Sequence, residues 1–154
     1  MGALHAVARL PGRRILIVDD NRDGANSLAM VLRMLGNQVF ITYDGIAALQ
    51  AAEAYRPDLV LLDIGLPRMD GHEVCRRIRE EPWGADMLLV AVTGWGQAED
   101  RRQSLEVGFD LHLVKPVNPS DLETLLSKEP RRRPAYRGAN SGAQLTAPAP
   151  PRDD

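Results

Sequence analysis

The sequence predicts a parallel α/β sheet with helices on both faces, and three observations carry that expectation. Several short runs, above all Ile15-Leu16-Ile17-Val18, Leu59-Val60-Leu61-Leu62 and Met87 to Val92, are apolar without alternation. Strands buried on both faces read in this way, whereas half-exposed strands alternate. Segments with helical spacing separate the runs, and the connections between them are short. Finally, two of the runs stop abruptly at acids, Asp19-Asp20 and Asp63.

The elements follow in order. Residues 1–12 have no clear period and end in Pro11-Gly12, so they read as a flexible leader. After the first strand, Leu28, Val31, Leu32 and Leu35 fall at i, i+3, i+4 and i+7 before Gly36, an amphipathic helix with its stop signal. Val39-Phe40-Ile41 is a short second strand, and Asp44 to about Tyr55 an alanine-rich helix ended before Pro57. The third strand, Leu59 to Leu62, leads through the loop "IGLPRMDG" into a helix over Glu73 to Glu80. Met87 to Val92 is the fourth strand, followed by "TGWGQ" and a helix from about Ala98 to Val107. Leu111 to Val114 is the fifth strand, and Pro119 to about Ser127 the last helix. Beyond Lys128 the chain is dense in Pro, Gly, Ala and Arg with few large apolar residues, so residues 128–154 are expected to be a disordered basic tail.

Composition narrows the function classes. A chain of 154 residues has room for one domain and a tail. No apolar run reaches membrane-span length, and the N-terminus lacks the pattern of a signal peptide. The single cysteine, Cys75, rules out an internal disulfide and points to a reducing, cytoplasmic setting. Its place between Val74 and Ile78 reads as packing or as a semi-exposed filler rather than as a nucleophile. The net charge of −2 conceals an asymmetry: residues 128–154 carry six basic and three acidic residues, the preceding part 13 and 18. The tail's arginines read as a solvated linker rather than a nucleic-acid surface.

In an open parallel sheet, ligands bind beyond the carboxyl ends of the strands. There the sequence places Asp19 and Asp20 (strand one), Asp63 (strand three), Thr93 (strand four) and Lys115 (strand five). Three neighbouring carboxylates repel one another unless a cation is bound, and hard oxygen donors suit Mg²⁺. Lys115 and the Thr93 hydroxyl add a positive charge and a donor, as a transferred phosphoryl group requires. Taken singly, each has an ordinary role: a helix cap for Asp19 or Asp20, a turn for Asp63, a solvent-facing lysine. Their coincidence at successive strand ends points to one site. No G-x-G-x-x-G follows strand one and no G-x-x-x-x-G-K is present, which argues against a nucleotide-binding module. "HEVCRR" lacks the second ligand pair of a zinc site, and His72 and His5 read as surface residues.

The ordered set "ILIVDDN", "DLVLLDIGLPRMDG", "VAVTGWG" and "HLVKP" closely resembles the receiver (REC) domain of two-component response regulators, over about residues 13–127. The resemblance implies a flavodoxin-like doubly wound (βα)5 sheet in the order 2-1-3-4-5. It implies phosphorylation of Asp63 by a histidine kinase or histidine phosphotransfer protein, with self-phosphorylation and autodephosphorylation as the only chemistry. Asp20, Asp63 and the Gly65 backbone carbonyl would ligate Mg²⁺, with Asp19 acting mainly through bound water. Thr93 and Lys115 would contact the phosphoryl oxygens, and the Lys115-Pro116 bond would be cis.

Further expectations follow from the resemblance. Thr93 and the strand-five residue three positions before the lysine form a switch pair, and that residue here is His112 rather than the familiar Tyr or Phe. A histidine there titrates near neutrality, while the plainer role is a half-exposed spacer. Gly94 and Gly96 loosen the loop around Trp95, an exposed partner anchor by this reading. Dimerisation would use a surface with Arg101, Arg102 and Asp121. No DNA-binding domain is recognisable in the sequence, so a stand-alone receiver is expected, with the terminal receiver of a hybrid histidine kinase as the alternative. A haloacid-dehalogenase-type phosphatase would instead place its nucleophile at the end of strand one in D-x-D, where this chain has Asp19-Asp20-Asn21.

Overall fold

The computed structural model describes residues 12–94 and 100–127, with the side chains of residues 100–102 outside that description. Residues 1–11 of the leader, Trp95, Gly96, the side chains of Arg101 and Arg102, and the basic tail therefore lie outside the described residues. Five strands, β1 (Arg14–Val18), β2 (Gln38–Thr42), β3 (Leu59–Asp63), β4 (Leu88–Thr93) and β5 (Leu111–Val114), form one parallel sheet in the order β2-β1-β3-β4-β5. Helices α1 (Arg22–Met34), α2 (Gly45–Tyr55), α3 (Gly71–Glu80), α4 (Asp100–Val107) and α5 (Pro119–Leu126) connect and follow them. The predicted fold class and strand order are those observed.

The period of two along each strand divides the apolar runs between two faces. Leu16, Val18, Val60, Leu62, Leu89 and Ala91 pack against Ala48 and Ala52 of α2 and Val74, Cys75 and Ile78 of α3. Ile15, Ile17, Leu59, Leu61, Val90 and Val92 pack against Ala25, Ala29 and Leu32 of α1 and Leu122 and Leu125 of α5. Burying a leucine or isoleucine of this kind contributes about 1.5–3 kcal/mol. Truncating Leu61, which is 1% exposed at the centre of β3, would cost about 2–5 kcal/mol. Register pairs such as Ile17↔Leu61 and Leu61↔Val90 align the strand ends, so β1 and β3 deliver their acids to one rim.

Local chemistry accounts for the helix starts. Asn21, Asp44, Asp70 and Asn118 are the N-caps of α1, α2, α3 and α5, each accepting a backbone N–H of the first turn. In α5 the cap is reciprocal, because the Asp121 carboxylate accepts the Asn118 N–H at 3.2 Å. Asp121, expected on a pairing surface, thus spends its carboxylate within its own helix. A 3-10 turn at Pro82–Gly84, absent from the sequence expectation, precedes β4. Arg79 secures it by donating to the carbonyls of Gly84, Met87 and Gly108 and to Asp110 at 2.7 Å.

Candidate functional site

Asp19 follows the last residue of β1, and Asp63 is the last residue of β3. The ordinary capping role weighed for Asp19 or Asp20 falls to a neighbour: Asn21 caps α1, its side-chain oxygen accepting the Gly24 N–H at 3.1 Å. A residue at the cap must accept from the helix's first turn, and Asn21 does so without charge. Asp19 and Asp20 are thereby left for the rim. Asp19 Oδ1 accepts the Asn21 N–H at 3.0 Å, and its other oxygen meets Lys115.

Carboxylate oxygens of Asp19, Asp20 and Asp63 all lie within 4.8 Å of one another. Lys115 Nζ lies among them, 3.0 Å from Asp19 Oδ2 and 3.3 Å from Asp63 Oδ2. Asp63 Oδ1 accepts the Gly65 N–H at 2.8 Å, so the backbone of the following loop helps to orient the carboxylate. Gly71 fixes that loop: a Cβ there would lie 2.6 Å from the Asp63 carbonyl oxygen, too close for any other residue. Lys115 arrives on a backbone tied to β4 by its N–H bond to the Thr93 carbonyl at 2.8 Å, and its bond to Pro116 is cis, as expected.

The electrostatics follow from this crowding. Burial raises the Asp63 pKa above the ordinary aspartate value, opposed by the Gly65 amide and by Lys115 and reinforced by the charge of Asp19. For Lys115, burial alone would lower the pKa. The hydrogen bond to Asp19 and the charges of Asp63 and Asp19 outweigh it and hold the ammonium above its usual value. Three carboxylates against one ammonium leave the rim anionic. A hard divalent cation fits such a donor set, since it takes carboxylate oxygens and keeps several waters.

The structure thus brings four of the expected residues together and turns the fifth aside. Thr93 is 1% exposed at the end of β4, and its Oγ1 lies 2.9 Å from His112 Nε2 and 3.4 Å from the Leu113 carbonyl oxygen. His112 is half-buried on the edge strand β5, as the spacer role also had it, and its ring meets the Thr93 hydroxyl. His72, read from sequence as a surface residue, is corrected as well: it is partly buried, with Nε2 3.1 Å from the hydroxyl of buried Ser104, bridging α3 and α4. Cys75 is fully buried, so of its two readings the packing one holds. A cavity of about 510 Å³ opens from the site between α1 and α5, bounded by Asp19, Asp63 and Lys115 and walled by Leu28, Val31 and Leu122. Two residues beside the site escaped the sequence reading, Arg22 at the start of α1 and Tyr43 just after β2, stacked with the Arg22 Cζ 3.9 Å from the ring centroid.

Residues 15–127 match the family model of the response regulator receiver domain. The transcriptional regulator RpaA of Synechocystis sp. is 36% identical over 115 residues, which are 75% of this chain and 46% of that protein. A 14.6 kDa protein of Leptolyngbya boryana is 36% identical over 114 residues, 74% of this chain and 87% of its own length. The chain spans about half the length of most of the curated relatives it matches. Among solved structures, the receiver domain of the sensor histidine kinase PA1611 from Pseudomonas aeruginosa shares 34% identity. It covers 75% of this chain and 95% of its own, with a TM-score of 0.69, and a magnesium ion is coordinated in its active-site cleft. A CheY-like receiver from Methanospirillum hungatei has the same identity and TM-score, covering 75% of this chain and 91% of its own.

Proposed function

Since the chain belongs to the response-regulator receiver family, we infer that Asp63 accepts a phosphoryl group from a phosphohistidine on a partner protein. The observation that carries this reading is the clustering of three carboxylates around one ammonium, with Asp63 oriented by the Gly65 amide. The Asp63 carboxylate attacks phosphorus in line, and the imidazole of the donor leaves with the electron pair of the P–N bond. Lys115, poised 3.3 Å from Asp63, compensates the charge that gathers on the transferred group. Asp19, Asp20, Asp63 and the Gly65 carbonyl would hold Mg²⁺, which when bound supplies charge neutralisation and a template for the phosphoryl oxygens.

Thr93 must leave His112 to donate to a phosphoryl oxygen, and that exchange at the ends of β4 and β5 carries the signal to the surface around α4 and β5. The acyl phosphate is then lost to water. The chain acts as a signalling protein in a two-component system or phosphorelay. No helix among the described residues is long and apolar enough to cross a membrane, which agrees with the cytoplasmic setting proposed for it. A second reading, the terminal receiver of a hybrid histidine kinase, draws support from the likeness to the PA1611 receiver. Phosphotransfer profiling against all kinases of the cell, with the genomic neighbourhood, separates the two.

Incubation with acetyl phosphate tests the chemistry. Hydroxylamine-sensitive phosphate that appears with Mg²⁺ and vanishes with EDTA is the expected result. Labelling indifferent to EDTA would overturn the cation's role, and turnover of small phosphoesters would restore an enzymatic reading.

A further inference from the structure

We propose that Arg22 is a donor-binding residue at the mouth of the site, which takes the phosphoryl oxygens of the incoming phosphodonor and is held ready for them on the ring of Tyr43. The proposal rests on the phosphoacceptor reading of Asp63 and adds to it the group that receives the donor. Arg22 is the first residue of α1, three residues after Asp19. Asp20 and Asp23 flank it in sequence, yet among the described residues Arg22 makes no ion pair and no side-chain hydrogen bond. Its guanidinium lies over Tyr43 instead, Cζ 3.9 Å from the centroid.

Tyr43 is a fixed base for that stack. It is half-buried and packs against the core face that includes Ile17, Leu28 and Ile41. It directly follows Thr42, whose carbonyl accepts the Asp19 N–H at 3.1 Å, so the backbone that carries the ring adjoins the first residue of the carboxylate rim. Stacking orders the arginine without spending its N–H donors, which remain available in the fork geometry that matches two oxygens of a phosphoryl group.

The charges at the rim give such a group a task. A phosphodonor brings a dianion toward Asp19, Asp20 and Asp63, and the nearby ammonium of Lys115 is engaged by two of them. A second cation, not neutralised by a carboxylate, offsets that repulsion on approach. In the transfer, an Asp63 oxygen forms the new O–P bond. With acetyl phosphate the P–O bond to the acetyl group breaks and acetate leaves with its electron pair. With N-protonated phosphoramidate the P–N bond breaks and ammonia leaves. Arg22 holds oxygens common to both donors and neither gives nor takes a proton.

The test measures the rate of Asp63 labelling against donor concentration, with acetyl phosphate and with phosphoramidate, in the full chain and in Arg22→Gln, Arg22→Lys, Tyr43→Leu and Arg56→Gln. Arg56→Gln controls for net charge. The expected result is a fall of about tenfold in kcat/KM for Arg22→Gln with both donors, carried by KM, with a shallower salt dependence. Arg22→Lys recovers part of the loss, Tyr43→Leu shows an intermediate loss, and Mg²⁺ affinity is unchanged in each. Arg22→Gln rates within twofold of the full chain would overturn the proposal, as would a loss confined to one donor, which would place Arg22 on the leaving group. No labelling of the full chain by either donor would instead remove the phosphoacceptor reading beneath it.

Discussion

Thr93 Oγ1 and His112 Nε2 stand 2.9 Å apart across the β4–β5 pair, so the hydroxyl expected at the phosphoryl group is held by a strand-five side chain. On the proposed function, activation would exchange this hydrogen bond for one to the phosphoryl group. A hydrogen bond of this kind is worth about 1 kcal/mol net, or about fivefold in an equilibrium. His112→Phe keeps a flat ring and removes the bond. Its affinity for a beryllofluoride mimic of the phosphoryl group is expected to rise about fivefold in a fluorescence titration. An unchanged affinity would show that His112 does not compete for the Thr93 hydroxyl.

Asp63 makes the metal-free protein pH-sensitive in a direction that can be worked out. Burial above all raises its folded pKa over the ordinary value of 3.8, so between those two values the folded state holds more protons than the unfolded chain. Stability then falls as pH rises through that window, and the contribution is fully present only below the unfolded value. Urea midpoints measured without divalent cation should decline more steeply with rising pH in the native chain than in Asp63→Asn. Parallel curves for the two proteins would contradict the account.

At the opposite end of the sheet, Asp110 pairs with Arg79 at 2.7 Å and also accepts the Leu89 N–H at 2.9 Å. Arg79 is 12% exposed, so removing its partner leaves a charge and a backbone donor largely buried. Asp110→Ala should cost about 3 kcal/mol in chemical denaturation while leaving Asp63 labelling of the folded protein intact. A cost below about 1 kcal/mol would mean that water replaces the carboxylate.

Asn21 separates helix capping from site chemistry. Its side chain satisfies the Gly24 N–H, and Asn21→Ala should cost about 1 kcal/mol of stability. Mg²⁺ affinity should stay within twofold, because Asp19 and Asp20 are retained. A tenfold loss of affinity would assign Asn21 to the site itself.

The sheet was legible because β1, β3 and β4 are uninterrupted apolar runs, and only a strand covered on both faces tolerates such runs. Asp19, Asp20, Asp63 and Lys115 were legible because strand ends in a parallel sheet share one rim. What escaped depends on side-chain conformation rather than spacing. Nothing in "VDDNRDG" shows that Asn21 takes the cap or that Arg22 turns to Tyr43, 21 positions away. His72 looked solitary because its partner, Ser104, sits on another helix 32 residues on. The Pro82–Gly84 turn is anchored by Arg79, and a partly buried arginine has no periodic signature. The cavity between α1 and α5 arises from how two helices straddle β1 and β3, which composition does not encode.

Intact-mass spectrometry after treatment with acetyl phosphate and Mg²⁺ tests the role of Asp63 most directly. The native chain is expected to gain one phosphoryl group that hydroxylamine removes, mapped to the peptide carrying Asp63, while Asp63→Asn gains none. An Asp63→Asn protein that still acquires hydroxylamine-sensitive phosphate at a comparable rate would contradict the assignment.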